Sequence, residues 1–344
     1  MTQANFPSIY PPDASWLAQA EPEPVLEPDL AIVDAHLHFW EHGGHRYFIQ
    51  EYASDVRSCG HQVESSVFIE CSTHYRADGP AHLAPVGEVE FALEMASKAA
   101  SFGCPSRVTA GIVACADLSR GHLAQEAVEA LLHAANGRLR GIRQRAKWDA
   151  DPKVCGSYFA PAPGLYLEAA FGAGIDMLGK LGLAFDASVF HPQLPDVVAL
   201  ARAHPDVQIV LNHTGSPVGH SSYAGKEHEN HAVWLAGMKA LAACPNVCVK
   251  LGGLLLNLAN FDFLAERAPP NSGKLAELWR PYLEPSIELF GADRCMVASN
   301  FPVDKCGFSY GTVWNMFKQI TSGCSSDEKA QIYSGTAKRV YRID

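Results

Sequence analysis

The amino-acid sequence predicts a (β/α)8 barrel, or TIM barrel, preceded by an extended N-terminal arm. Eight apolar segments that read as buried strands recur along the 344 residues, and helical segments lie between them. Eight strands that alternate with helices favour a closed barrel over an open doubly wound sheet. The first strand is not followed by a glycine-rich phosphate-binding turn, which also disfavours a dinucleotide-binding sheet.

The arm is predicted over residues 1–30, because prolines at positions 11, 12, 22, 24 and 28 exclude helix. It is expected to wrap the barrel or a neighbouring subunit, and the barrel itself is predicted over residues 31–344. The strands are predicted at residues 31–38, 65–72, 108–117, 139–145, 183–190, 207–214, 247–252 and 295–301. The helices are predicted at residues 86–101, 122–136, 165–181, 193–204, 231–243, 273–290 and 312–321.

The first strand ends in two histidines separated by one residue. Side chains alternate along a strand, so His36 and His38 should share a face, with Asp34 one step below them. Two imidazoles on one rigid face suit a metal, or a substrate that needs positioned donors and proton carriers. Burying both without a task would leave ring nitrogens in need of partners, so a functional role is favoured over a structural pair.

The second and fourth strands add charged residues at the same level. Glu70 and His74 share one parity after the second strand, and Arg143 and Arg145 share a face of the fourth. Strand-end arginines often pair with neighbouring carboxylates. With Lys147 following, the two arginines also form a fork suited to a substrate carboxylate.

The last four strands complete the set of candidate residues. They supply Asp186 from the fifth strand, His213 from the sixth, Lys250 from the seventh, and Asn300 and Asp304 from the eighth. Chemistry in a barrel sits at the carboxyl ends of the strands, so these side chains should converge. Lys250 is expected either in the site or as a salt-bridge partner facing a helix.

Taken together, these motifs resemble the amidohydrolase superfamily, and more narrowly its amidohydrolase-related branch, which includes sugar-lactone and pyrone-dicarboxylate lactonases. The resemblance covers residues 30–344. It rests on the segments Asp34-Ala35-His36-Leu37-His38, Gly141-Ile142-Arg143, Asn212-His213-Thr214-Gly215, Lys250-Leu251-Gly252-Gly253 and Ser299-Asn300-Phe301-Pro302-Val303-Asp304. It implies that His36 and His38 hold a metal, and that His213 ligates the metal or polarises the scissile carbonyl.

The chain departs from this family at the eighth strand, where Asn300 replaces the aspartate that activates water. An amide cannot accept a proton at neutral pH, so another carboxylate must serve as base. The candidates are Asp186, Asp304 and Glu70, and Asp186 is preferred because its strand end is more rigid than the loop that carries Asp304. The histidine and bridging lysine of two-metal members are also absent, so a binuclear site is not expected.

The resulting prediction is a hydrolase that opens a small acidic lactone by water attack. One Zn²⁺ or Mn²⁺ would activate the water by lowering its pKa to about 7. The predicted metal ligands are His36, His38, His213 and Glu70, with Asp186 as an alternative. Without a metal, the histidines would polarise the carbonyl together with Lys250 or Arg143. The predicted substrate-binding residues are Arg143, Arg145, Lys250 and His74.

Two alternatives remain at the level of the sequence. The wider family includes metal-dependent decarboxylases of aromatic or enoic acids, but these normally need the aspartate that Asn300 replaces. A catalytically silent barrel that binds a small acid would explain the lost base. The retained histidines and clustered charges disfavour the silent barrel, because burying them without use is costly.

Composition limits the remaining function classes. The formal net charge of −10 disfavours nucleic-acid binding, which needs clustered Lys and Arg. No apolar run approaches the ~20 residues that span a bilayer, and the polar start of the chain does not read as a signal peptide. A cytoplasmic protein with ten reduced cysteines is therefore expected. A homodimer is the expected assembly, since it is the commonest closed form.

Overall fold

The computed structural model describes residues 9–42, 44–155 and 162–344. Its strands are β1 (Ile32–Leu37), β2 (Trp40–His42), β3 (His45–Tyr47), β4 (Val63–Ile69), β5 (Arg107–Ala114), β6 (Leu139–Arg145), β7 (Ala184–Ser188), β8 (Ile209–Leu211), β9 (Val247–Leu251) and β10 (Cys295–Val297). Eight of them form one parallel sheet in the order β1-β4-β5-β6-β7-β8-β9-β10. A parallel bridge between Leu37 and Phe301 joins the two ends, so the sheet forms a nearly closed barrel. The predicted barrel and its eight strands are confirmed.

Helices alternate with these strands. They are α1 (Ala14–Leu17), α2 (Ile49–Ser58), α3 (Val86–Lys98), α4 (His122–Ala134), α5 (Pro152–Cys155), α6 (Ala169–Lys180), α7 (Leu194–Ala203), α8 (Glu227–Ala242), α9 (Leu255–Leu258), α10 (Ser272–Phe290), α11 (Tyr310–Ile320), α12 (Ser326–Ala330) and α13 (Thr336–Tyr341). All seven predicted helices are present. The β2–β3 hairpin and α2 were not predicted from the sequence. Yet the residues that α2 buries have the spacing of an amphipathic helix; they are Ile49, Tyr52, Ala53 and Val56.

Two apolar layers hold the barrel together. One lies between the sheet and the helices and includes the fully buried Trp234, Trp279 and Trp314, as expected for packing residues. The other consists of small strand residues together with Tyr341 and Ile343 from the C-terminal segment. Burial of this kind stabilises a fold by roughly 25 cal/mol per Å² of apolar surface.

The arm packs against its own barrel. The side-chain nitrogen of Trp16 donates a 3.0 Å hydrogen bond to the carbonyl of Glu266, and the Lys318 ammonium donates to the carbonyls of Leu26 and Glu27. The expectation that the whole arm is extended is wrong at α1, because no proline lies inside Ala14–Leu17. The carboxylate of Asp13 accepts hydrogen bonds from the first turn and starts this helix. Residues 1–8 of the predicted arm lie outside the described ranges.

Two further observations concern the chain as a whole. Across the described residues, no helix combines the length and the apolar character needed to cross a membrane. The ten cysteines are free thiols, and six of them are buried.

Candidate active site

Side chains from several strands meet in a pocket formed by residues at and just beyond the carboxyl ends of the strands. Its polar lining includes His38, Arg143, Arg145, His213 and Asn300, all of them candidates from the sequence, together with Lys147. The alternation that begins at His36 continues beyond His38, because Trp40 and His42 also line the pocket. That period-two pattern is a sequence signal by which both residues could have been found. No local signal identifies Asn257 or Ile9, which reach the pocket from α9 and from the arm.

The three histidines are close together, buried and neutral. The ring centres of His36 and His213 lie 4.3 Å apart, and those of His36 and His38 lie 4.8 Å apart. Burial lowers the pKa of His38 to about 3, and Arg143 adds to this effect. Burial, assisted by neighbouring cations, holds the pKa of His36 and of His213 well below the usual range. All three are therefore uncharged imidazoles near neutral pH.

A hydrogen bond orients the His38 ring, and the close approach of Gly253 limits the position of the His213 ring. The Nδ1 of His38 lies 2.7 Å from the carbonyl oxygen of Ile69 and must donate to it, so its Nε2 is left as an acceptor. His213 has a left-handed backbone with φ of 51°, and its Nδ1 faces Gly253. A Cβ atom at residue 253 would lie 1.9 Å from that nitrogen, so only glycine fits there.

Arg143 is the centre of a buried network. Its Nε donates to Glu70 Oε1 at 2.7 Å, and its Nη1 donates to His36 Nε2 and to Asn212 Oδ1, each at 3.3 Å. Arg145 lies 3.3 Å from the same carboxylate oxygen but keeps about one third of its side chain exposed. Burial alone would raise the pKa of Glu70, but the two guanidinium groups hold it below its ordinary value. Arg143 therefore serves mainly to neutralise Glu70, and Arg145 is the arginine that remains accessible.

Asp186 and Lys250 form a second buried ion pair, with Lys250 Nζ 2.7 Å from Asp186 Oδ2 and both side chains fully buried. Asn212 and Tyr341 also donate hydrogen bonds to this carboxylate. A carboxylate with three donors and no solvent is a poor base for a substrate water, so the geometry does not support Asp186 in that role. Lys250 is a salt-bridge partner, as one interpretation of the sequence expected, but its partner Asp186 lies on β7, two strands away in the sheet, rather than on a helix.

Asn300 and Asp304 interact with each other. The Asn300 side-chain nitrogen donates a 3.0 Å hydrogen bond to Asp304 Oδ1. Asp304 is 1% exposed, and burial raises the pKa of its carboxyl group to about 8. Within the part of the chain that the structure describes, Asn300 lines the pocket and Asp304 does not.

Two sequence expectations need correction. His74 is exposed and stacks on Phe91 with 3.6 Å between ring centres, so it points away from the pocket and cannot bind substrate there. Asp34 does not continue the face of the histidines, because the strand pairing shifts register between Asp34 and Leu37. Its carboxylate instead accepts hydrogen bonds from Ser299 and Tyr310.

The predicted metal ligands do not fit a metal in this arrangement. The Nε2 of His36 faces the Arg143 guanidinium, and the Glu70 carboxylate is already paired with two arginines. A divalent cation would be repelled by Arg143 and would have to displace it. Consistent with this, no group of three His, Cys, Asp or Glu side chains in residues 9–42, 44–155 and 162–344 is arranged to hold a metal ion.

Lys147, which follows the two arginines in the sequence, also lines the pocket. It is 6% exposed, and its Nζ lies 5.0 Å from the centre of the Phe190 ring. Burial, followed by the charges of Arg143 and Arg145, lowers the pKa of its ammonium group to about 7. Lys147 lies two residues after Arg145, which is the last residue of β6, and so follows the same every-second-residue spacing as the two arginines. This spacing indicates that its side chain lies on the same face as theirs.

Comparison with known proteins adds three relatives and a family. The model of the amidohydrolase family matches residues 33–343. An uncharacterized protein named y4mH from Sinorhizobium fredii is 30% identical over 341 residues, which cover 92% of this chain and 99% of that protein. An L-fucono-1,5-lactonase from Burkholderia multivorans is 26% identical over 90% of this chain and 96% of its own. A crystal structure of a Burkholderia multivorans amidohydrolase with bound Zn superimposes with a TM-score of 0.68 at 25% identity, covering 91% of this chain and all of that one.

Proposed function

The chain belongs to the amidohydrolase family and is a hydrolase, and from that premise we propose that it opens a small acidic lactone by attack of water. The lining of the pocket carries this proposal. Cationic and neutral imidazole side chains line it, and no Asp or Glu is found there among the described residues. The similarity to an L-fucono-1,5-lactonase over nine tenths of the chain supports a cyclic ester as the substrate.

Hydrolysis of an ester requires donors for the oxyanion that forms on the carbonyl oxygen. In the proposed complex, His213 supplies one of them. The Nδ1 of His213 lies against Gly253, so the ring can meet a bound molecule only through its opposite edge, where Nε2–H is the donor. Water then adds to the carbonyl carbon, the ring C–O bond breaks, and a hydroxy acid is released.

An acidic substrate is favoured because Arg143 and Arg145 share one carboxylate, that of Glu70, which leaves a net positive charge beside the pocket. Arg145 keeps about a third of its side chain exposed, so it can bind a substrate carboxylate without leaving Glu70. Arg143 cannot take this role without breaking its bonds to Glu70, so the fork predicted from the sequence is reduced to Arg145. The proposed mechanism uses protein side chains and water, because the predicted metal ligands His36 and Glu70 are already bound to arginines.

A turnover screen tests the proposal. Aldonolactones, uronolactones and pyrone carboxylates would be offered to the purified protein, and ring opening would be followed by proton release. We expect turnover of an anionic lactone, with a Michaelis constant that rises about tenfold or more in Arg145→Met. Arg280→Met is the matched control, since Arg280 pairs with Glu284 within α10 and is not among the described residues that line the pocket.

The same screen distinguishes the alternatives. Release of carbon dioxide from hydroxybenzoates without lactone turnover would replace the proposal with a decarboxylase. Saturable binding of small acids without any turnover would identify a silent binding protein.

A further inference from the structure

The proposed lactone hydrolysis needs a base for the attacking water, and the carboxylates near the pocket do not qualify. Glu70 is paired with two arginines, and Asp186 is enclosed by Lys250, Asn212 and Tyr341. Asp304 sits behind Asn300 and outside the lining. Among the described residues, no Asp or Glu lines the pocket, and the segment after β10 presents the amide of Asn300 to it.

The imidazoles are also poorly placed to take a proton. His36 is fully buried, and its acceptor nitrogen receives the Arg143 donor. His38 has an acceptor nitrogen, but burial and the charge of Arg143 lower its pKa to about 3, which makes it a weak base. Burial and the neighbouring cations hold the pKa of His213 well below its usual range, so it is a weak base as well. The Nε2 of His42 lies 3.2 Å from the carbonyl oxygen of Cys71 and donates to it. Among the described lining residues, the aliphatic amine of Lys147 is the other basic group.

Lys147 has the surroundings that a catalytic amine requires. Its stem is buried, its Nζ lies over the face of Phe190, and it shares the pocket wall with His213 and Asn300. Arg143 and Arg145, which precede Lys147 in the chain, disfavour the protonated form of its amine. The buried carboxyl group of Asp304 favours the protonated form. A lysine whose charge is disfavoured by burial and by neighbouring cations is a recurrent form of general base.

We propose that the Lys147 amine is the general base of the lactone hydrolysis and that Asn300 holds the attacking water beside it. This inference rests on the proposed function. Because the Asn300 nitrogen donates to Asp304, its carbonyl oxygen is left to accept one water hydrogen, and Lys147 Nζ accepts the other. As the water oxygen bonds to the carbonyl carbon, its proton moves to Nζ and the carbonyl electron pair moves onto oxygen. When the tetrahedral species collapses, the ring C–O bond breaks and Nζ returns the proton to the departing ring oxygen.

The titration of this amine is set by groups on several elements. Among the described residues, the titratable and charged groups that act electrostatically on Lys147 include Arg143 and Arg145 from β6, Asp304 from the segment after β10, Cys155 from α5, His213 from the end of β8, and His220. The amine must be uncharged to accept a proton. Activity should therefore fall as pH drops through the pKa of Lys147, and this limb should belong to Lys147 alone.

Substitution with a matched control tests the assignment. We expect Lys147→Met and Lys147→Arg to lower kcat by about 100-fold or more with little change in KM, and to lose the acidic limb of the pH profile. Lys147→Met resembles the neutral amine in length but cannot act as a base, so its unchanged melting temperature would exclude misfolding. Lys153→Met, an exposed lysine in α5, should behave as the wild type. In Lys147→Ala, small primary amines should restore turnover in proportion to their free-base concentration.

A second readout does not depend on turnover. Competitive acetylation of the wild-type protein at increasing pH, read by mass spectrometry, should show Lys147 half-reactive near neutral pH. An active wild type whose Lys147→Met variant keeps its rate and its pH profile overturns the assignment but leaves lactone hydrolysis intact. A wild type with a reactive Lys147 that opens no lactone overturns the proposed function, and this step with it.

Discussion

The side-chain amide of Asn300 donates a 3.0 Å hydrogen bond to the carboxyl group of Asp304, one turn further along the chain. The eighth strand thus presents an amide to the pocket and keeps its carboxyl group behind it. Catalysis by a strand-end carboxylate is therefore lost at this position, and Asp304 acts as a positioning residue that fixes the orientation of the Asn300 amide.

The buried Asp304 should make stability depend on pH. Its folded pKa of about 8 lies above the ordinary value of 3.8, so the folded state binds a proton more tightly than the unfolded state. The stabilisation is fully present below pH 4 and is lost as pH rises toward 8, by an amount on the order of a few kcal/mol. Asp304→Asn should flatten this part of the stability curve, measured by urea unfolding between pH 5 and 9. A variant with the same slope as the wild type would contradict the assignment.

The buried Asp186–Lys250 pair should be a structural element rather than a catalytic one. Removing either partner leaves an uncompensated buried charge, so Asp186→Asn and Lys250→Met should each lower the free energy of unfolding by about 3–5 kcal/mol. The double variant should lose less than the sum of the two. Arg46→Met, which breaks an exposed pair, should cost under about 1 kcal/mol in the same denaturation experiment.

Gly253 should control the position of His213. A methyl group at residue 253 would overlap His213 Nδ1, and the glycine φ of 68° adds backbone strain. Gly253→Ala should therefore lower kcat by about 100-fold, the usual loss for one oxyanion donor. Gly121→Ala is the matched control, because Gly121 also has a positive φ but has no atom within 4 Å of the added carbon. Equal losses in the two variants would show that backbone strain alone is responsible.

Chelation should leave the activity intact. The guanidinium of Arg143 occupies the space next to His36 Nε2, so a divalent ion has no set of ligands to bind in this arrangement. We expect less than a tenth of an equivalent of Zn or Mn per chain by plasma mass spectrometry, for protein prepared without a metal-affinity step. Turnover should be unchanged after dialysis against a chelator. Loss of turnover that returns only with added Zn²⁺ would show that Arg143 moves aside to admit a metal.

Much of the fold and part of the site followed from local patterns. The eight strands and seven of the helices were predicted because hydrophobic periodicity is a property of neighbouring residues. His38, Arg143, Arg145, His213 and Asn300 were expected at strand ends, and the structure places all five in the pocket lining. Trp40 and His42 continue the same alternation, so their place in the pocket lining could also have been predicted from the sequence.

The barrel and the polar residues at its strand ends, Asn300 among them, follow from the sequence. Which charges neutralise one another depends on the tertiary structure. Arg143 and Glu70 are 73 residues apart in the chain, and Lys250 and Asp186 are 64 apart. The alternation of side chains along a strand predicts the face on which each one lies. It does not predict which side chain of another strand each one contacts. Those pairings depend on distances of a few ångströms across the closed barrel, and they leave Lys147 as the amine at the pocket wall.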